Sequence, residues 1–121
     1  MFYDIAAGLF FDMEAAGNEE HIAIGKYFFS AAAFTRAGNI LLEAGKAAGI
    51  SYLIIDEIGP LEIKKQLGLY QPLIKIINAA FTYTLIIVIR KALVDEATAV
   101  LKLNNPIVLG TEEMTKYLSI V

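Results

Sequence analysis

The fold is decided by residues 52–62, which read YLIIDEIGPLE. The stretch opens with four apolar residues rich in β-branched isoleucine, and a Gly-Pro break follows its two acids. A short apolar run bounded by turn residues is typical of a buried strand in a parallel sheet. Asp56 and Glu57 then fall at the carboxyl end of that strand, where open α/β sheets bind their ligands. The sequence therefore predicts a strand that carries two carboxylates to a binding edge.

Helices and strands are predicted to alternate on both sides of this strand. Before it, residues 31–48 repeat small and apolar side chains at helical steps, with Ser30 as N-cap and Gly49 as stop signal. The elements predicted after it are a helical turn at 61–65, helices at 70–80 and 92–103, strands at 85–89 and 106–109, and a final helix near 112–118 capped by Thr111. Such alternation is typical of βαβ units in a parallel sheet.

The N-terminal part has a different pattern. Residues 2–14 are rich in aromatic side chains without helical spacing, which favours extended structure. Residues 21–24 and 27–29 form two short apolar runs around Gly25. We expect an antiparallel hairpin in this region.

Length and composition bound the class of protein. The chain of 121 residues is expected to form a single domain, residues 1–121. Its longest run without a charged residue, 76–89, is shorter than the ~18–20 residues that span a bilayer. No signal-peptide pattern is visible, and the chain has no cysteine for disulfides or thiolate metal sites. These features predict a cytoplasmic protein with no membrane partner.

Charge and hydropathy indicate the kind of partner. The net charge is −3, and the basic pairs 64–65 and 90–91 form no stripe, which argues against nucleic-acid binding. Hydrophobic residues make up 57% of the chain, and the mean hydropathy is +0.58. Because a small monomer has little interior in which to bury them, we expect a homo-oligomer or a complex with a complementary protein chain.

Asp56 and Glu57 are the candidate catalytic pair. Asp56 would hold Mg²⁺ through a water, because Mg²⁺ prefers few carboxylates and keeps much of its hydration shell. Glu57 would orient or deprotonate the water that attacks a terminal phosphate. Adjacent residues of a regular strand point to opposite faces, so a bend is needed to bring both to one site. The alternative is that the two acids are only the polar exit of a buried strand.

The run DEIGPLE at residues 56–62 resembles the signature of the small, thermophilic-type nucleoside-triphosphatases of the P-loop class. These proteins carry a DEIGPME-like segment on the strand that holds the magnesium-binding acid. The resemblance extends back through Gly25-Lys26 and the helix, and forward to LIIVIR at 85–90, covering residues 2 to about 110. It implies the later two thirds of a three-layer, mostly parallel P-loop fold, truncated at its N-terminus and with an N-terminal antiparallel hairpin. It also implies a nucleoside triphosphate as ligand and Mg²⁺ as cofactor.

The phosphate-binding half of that family's site is missing from residues 1–121. The family begins with a loop of the form G-x-x-x-x-G-K-[S/T], whose backbone N–H groups hold the phosphates. Gly25-Lys26 has Glu20 where the first glycine belongs, and Gly45-Lys46 has Ile40 there. Neither pair is followed by serine or threonine. The chain is therefore expected to retain the Walker B Asp-Glu pair and to be inactive by itself.

Arg90 follows the second buried strand and is predicted to lie near Asp56 at the same sheet edge. It could bind the γ-phosphate of a nucleotide, or form a salt bridge to one of the two acids. Three functional hypotheses remain open. The chain is an inactive nucleoside-triphosphatase remnant, a non-catalytic oligomerising interaction protein, or one part of a split or mis-started Mg²⁺-dependent hydrolase of nucleoside triphosphates.

Overall fold

The structure is a computed structural model that describes residues 2–5, 7–13, 21–24, 27–110 and 112–113. The strands, in chain order, are β1 (Phe2–Asp4), β2 (Leu9–Phe11), β3 (His21–Ile24), β4 (Tyr27–Ser30), β5 (Tyr52–Ile58) and β6 (Thr84–Ile89). The α-helices are α1 (Ala31–Lys46), α2 (Pro60–Lys65), α3 (Tyr70–Asn78) and α4 (Val94–Val100), and a 3-10 turn spans Lys91–Leu93. None of the helices in these ranges combines the length and the hydropathy that crossing a membrane requires.

Two antiparallel hairpins form the N-terminal part. Strands β1 and β2 pair with each other, and β3 pairs with β4, as the sequence predicts for residues 21–29. Alternation gives the first hairpin two faces. On one face Phe2 packs edge-on against Phe34 of α1 at 5.0 Å between ring centroids. On the other face Tyr3 and Phe10 stack at 4.1 Å and stay largely exposed. The inner face therefore joins the core.

Helix α1 begins and ends at signals that the sequence contains. The Ser30 hydroxyl accepts a hydrogen bond from the Ala33 N–H at 3.1 Å, so the predicted N-cap is confirmed. The helix ends at Lys46, two residues before the predicted end, and Gly49 takes a left-handed φ of +79° in the turn that follows. This turn leads the chain directly into β5.

Strands β5 and β6 form a parallel pair, connected through α2 and α3. Leu53, Ile55 and Ile58 of β5 point into a core that α1 and α3 also line. Helices α1 and α3 approach closely, and a Cβ on Gly38 would lie 2.9 Å from the Pro72 ring. The class is therefore mixed α/β, with one parallel pair and two antiparallel hairpins among the described residues. The sequence predicts a mostly parallel sheet, but the described residues contain only one parallel pair of strands.

The structure differs from the predictions for residues 92–109. The predicted third strand at 106–109 is wrong, because residues 106–110 form no regular structure. A strand requires a hydrogen-bonded neighbour, and Ile107 and Val108 are instead largely exposed. The helix predicted at 92–103 is shorter, since α4 ends at Val100. Most of the helix predicted near 112–118, with its cap Thr111, lies outside the described residues.

Candidate functional site

A β-bulge places both acids of the candidate site in solvent. Asp56 lies opposite Val88 and Ile58 lies opposite Ile89, so Glu57 is the extra residue in β5. Regular alternation would direct Glu57 toward the core, as it does Ile55. Instead Ile58 is fully buried, and Asp56 and Glu57 are both exposed. The peptide bond between the two acids is cis. The bulge therefore turns both side chains away from the core.

Arg90 lies beside one of the two acids. Its Nη2 is 3.6 Å from the Glu57 Oε1, and 68% of the arginine side chain and 43% of the glutamate side chain are exposed. The salt bridge that the sequence offered as an alternative to phosphate binding is thus formed, and its partner is Glu57. Asp56 has no hydrogen bond or ion pair within the described residues. Its carboxylate is therefore available to a ligand.

We expect the Arg90–Glu57 pair to contribute little to folding. The pair is solvent-exposed and too long for a hydrogen bond, so a double-mutant cycle with Arg90→Ala and Glu57→Ala should give a coupling of about 0.2–1 kcal/mol. Chemical denaturation of the four proteins measures it, and the coupling should shrink in high salt. A coupling well above this range, insensitive to salt, would contradict a simple surface ion pair.

Asp56 and Glu57 are the two carboxylates at this edge that could hold a metal ion. No group of three or more His, Cys, Asp or Glu side chains in the described ranges could hold a metal ion. Mg²⁺ is commonly bound through one or two carboxylates, with waters and substrate phosphates completing its shell. Asp56 is the exposed carboxylate that could take such a ligand role, and the neighbouring Glu57 could accept a hydrogen bond from a bound water.

No match to this chain is found among protein-family models, curated proteins or solved structures. The resemblance to the P-loop nucleoside-triphosphatases therefore rests on residues 56–62 and the elements around them. It remains a prediction.

Glu62 follows the two acids in the sequence and holds the segment after them through two hydrogen bonds. Its Oε1 accepts a hydrogen bond from the Gly59 N–H at 3.1 Å, and its Oε2 accepts one from the Leu69 N–H at 3.0 Å. The residue is only 5% exposed, and burial raises the pKa of its carboxyl above the ordinary value of 4.5. Gly68, at a φ of +60°, packs so closely that a Cβ would collide with this carboxylate.

The sequence predicts only part of the role of Glu62. The helical turn predicted at 61–65 is confirmed, and Glu62 lies in the first turn of α2, where it accepts the hydrogen bond from the Gly59 N–H. Its second bond reaches seven residues forward to Leu69, and no local spacing rule predicts it. Glu62 therefore fixes the path of the chain on both sides of α2.

Gly45-Lys46 has a structural explanation. The pair lies in the last turn of α1, and a Cβ on Gly45 would approach the Ile76 side chain at 3.0 Å. The absence of a side chain at this position lets α1 and α3 pack together. The other pair, Gly25-Lys26, lies outside the described residues.

Proposed function

We propose that this domain carries the metal- and water-positioning half of a Mg²⁺-dependent nucleoside-triphosphatase site. In this proposal Asp56 holds the magnesium ion through a water, and Glu57 orients or deprotonates the attacking water. A phosphate-binding glycine loop from outside residues 1–121 completes the site. By themselves, residues 1–121 bind a nucleoside triphosphate too weakly to hydrolyse it.

The observation that carries the proposal is the bulge at Glu57. It turns two consecutive carboxylates outward at the carboxyl end of a parallel strand pair, where α/β proteins bind ligands. If the two acids only ended the strand, no bulge would be needed. A regular strand with an apolar residue at position 57, facing the core, would serve equally well. The Asp56 carboxylate, which has no partner among the residues that the structure describes, supports the assignment of Asp56 as the metal ligand.

Electrostatics explains why the chain alone should be inactive. A nucleoside triphosphate carries several negative charges, and two carboxylates without opposing donors repel it. Arg90 lies beside the acids, but its charge is shared with Glu57. A glycine loop supplies a row of backbone N–H groups and a lysine, which neutralise the phosphates. The same proposal implies the three-layer P-loop fold, in which further elements cover the open face of β5 and β6.

Calorimetric titration of the chain with Mg²⁺ and a non-hydrolysable ATP analogue tests the inactive half of this proposal. We expect no binding tighter than ~100 µM. Tighter binding that Asp56→Ala abolishes would overturn the view that the chain lacks a phosphate site. Tighter binding that persists in Asp56→Ala would overturn the assignment of Asp56 as well.

A longer protein tests the catalytic half, where the reading frame upstream of Met1 encodes a G-x-x-x-x-G-K-[S/T] loop. We expect Mg²⁺-dependent release of phosphate that falls by about 10²–10⁴-fold in Glu57→Gln. Asp56→Asn should abolish the Mg²⁺-dependent release of phosphate. The matched control is Glu43→Gln on α1, whose side chain is 80% exposed and remote from the acids in sequence, and which should leave the rate unchanged. Equal rates in all variants would refute both residue assignments.

A second candidate function is a non-catalytic interaction protein that assembles with itself or a complementary chain. The observation that favours it is the apolar surface left uncovered on the parallel pair, where 59% of Ile54 and 37% of Val88 is exposed. Parallel sheets are normally covered on both faces. Both candidate functions therefore require additional protein to pack against β5 and β6: further elements of the fold in the first, and a second chain in the other.

A further inference from the structure

The outer edge of β6 offers backbone hydrogen-bonding groups to a neighbour. The Thr84 N–H bonds to the Ser51 carbonyl at 2.9 Å, so this residue faces β5. Successive residues of a strand direct their backbone N–H and C=O groups to opposite edges. The backbone groups of Leu85, Ile87 and Ile89 therefore point away from β5, toward the outer edge of the sheet. No strand pairs with this side of β6 in the described part of the chain. We call these three residues the open edge.

The open edge has none of the features that normally block strand pairing. Natural edge strands are protected by charges, prolines, bulges or short length. On β5 a bulge and two acids occupy the carboxyl end. Strand β6 reads TLIIVI, six residues without a charge, a proline or a bulge of its own. The exposed face beside it is also aliphatic, because Ile86 lies opposite Ile54, and Val88 follows two residues later. The edge is therefore uncharged along β6, and the face beside it is aliphatic as far as Asp56, which lies opposite Val88 at the carboxyl end.

We propose that this edge pairs with the same edge of a second copy of the chain, antiparallel and across a two-fold axis at Ile87. A two-fold axis pairs a strand with itself in antiparallel orientation. With the axis at Ile87, Leu85 of one copy lies opposite Ile89 of the other, so all outward N–H and C=O groups find partners. The result is a continuous four-stranded sheet, whereas two strands alone form a sheet of marginal stability.

The charges of the chain do not oppose a second copy in this orientation. Each copy carries a net charge of −3, so contact is least unfavourable where the surface is neutral, as it is along β6. Antiparallel pairing places the two Arg90 side chains at opposite ends of the joined strands, each next to Thr84 of the other copy. The acids at 56 and 57 of each copy are likewise separated by the length of β6. No like charges therefore lie opposite each other.

Sedimentation velocity at micromolar concentration provides the first test. We expect the unmodified chain to be a dimer. Ile86→Lys should raise the dissociation constant by about tenfold or more, because each dimer then brings two lysines into the apolar face. Ile107→Lys is the matched control, since Ile107 is 70% exposed and lies outside the sheet, and it should leave the dimer intact. A monomeric unmodified chain, or equal effects of the two lysines, would overturn the proposal.

Disulfide trapping provides a second test that avoids a disruptive charge. The chain has no cysteine, so a single introduced cysteine can form only intermolecular disulfides. Residues 86 and 88 of opposite copies form a non-hydrogen-bonded pair, with Cα atoms about 4.5 Å apart, within disulfide range. An oxidised mixture of Ile86→Cys and Val88→Cys should give more covalent dimer than either variant alone or Ile107→Cys. An equal yield in all samples would refute the two-fold axis at Ile87. Neither test uses nucleotide, so their outcome is independent of the proposed nucleoside-triphosphatase half-site, whereas a dimer would support the second candidate function.

Discussion

Replacing Glu62 by alanine is expected to lower the free energy of unfolding by about 2–6 kcal/mol. The substitution removes both acceptors of a carboxylate that is 5% exposed, and it leaves the N–H groups of Gly59 and Leu69 without their partner. Each buried donor without an acceptor costs about 1–3 kcal/mol. Urea denaturation measures the effect. The control is Glu43→Ala, a helical glutamate that is 80% exposed, which should change stability by about 0.5 kcal/mol or less.

The charge of Glu62 makes this contribution depend on pH. Because burial raises the pKa of Glu62 in the folded state, the folded chain keeps the proton at pH values where the unfolded chain has lost it. The contribution of Glu62 to stability is therefore fully present below the unfolded pKa of 4.5, and it declines as pH rises through the raised folded pKa. The difference in unfolding free energy between the unmodified chain and Glu62→Gln should show this decline. A difference that grows with pH would contradict the role assigned to burial.

Ile58→Ala is expected to cost about 2–5 kcal/mol, the range for truncating a fully buried aliphatic side chain. Ile58 is 0% exposed because the bulge at Glu57 shifts it into the core-facing position after Ile55. Ile54→Ala on the same strand is the matched control. Ile54 is 59% exposed, so its truncation should cost less than about 1 kcal/mol. Thermal or urea unfolding of the two variants gives the comparison.

The opposite order of these two effects would show that the bulge is absent. Without it, position 57 would face the core and position 58 would face solvent, because alternation would continue unbroken along β5. A third variant, Glu57→Ala, makes the test independent of cavity size. It should cost little if Glu57 is outside the core, beyond the small coupling to Arg90.

The central elements were predictable because their signals are local. The isoleucine-rich run at 52–55 and its turn residues predict β5, and Ser30 predicts the start of α1 through a hydrogen bond three residues away. Strand and helix periodicity places the acids at the carboxyl end of a strand and Arg90 at the end of the next one. Their proximity follows from parallel pairing, and the structure confirms it for Glu57.

The features that were missed depend on contacts distant in sequence. Residues 106–109 have the composition of a strand, but a strand forms only where another strand supplies hydrogen bonds, and nothing local predicts that neighbour. The bond from the Leu69 N–H to Glu62 depends on how the loop after α2 folds back. The bulge itself has a faint signal, since core-facing apolar residues at 53, 55 and 58 change their spacing from two to three.

The bulge also separates the chemistry of position 57 from the folding of β5. A side chain that is extra to the ladder and turned away from the core can be exchanged for another without opening a cavity or creating a clash. Acidic, amide or hydroxyl groups could succeed one another there over evolutionary time while the same hydrophobic interior was inherited unchanged. Substitutions at position 57 can therefore change the chemistry of the site with little effect on the stability of the fold.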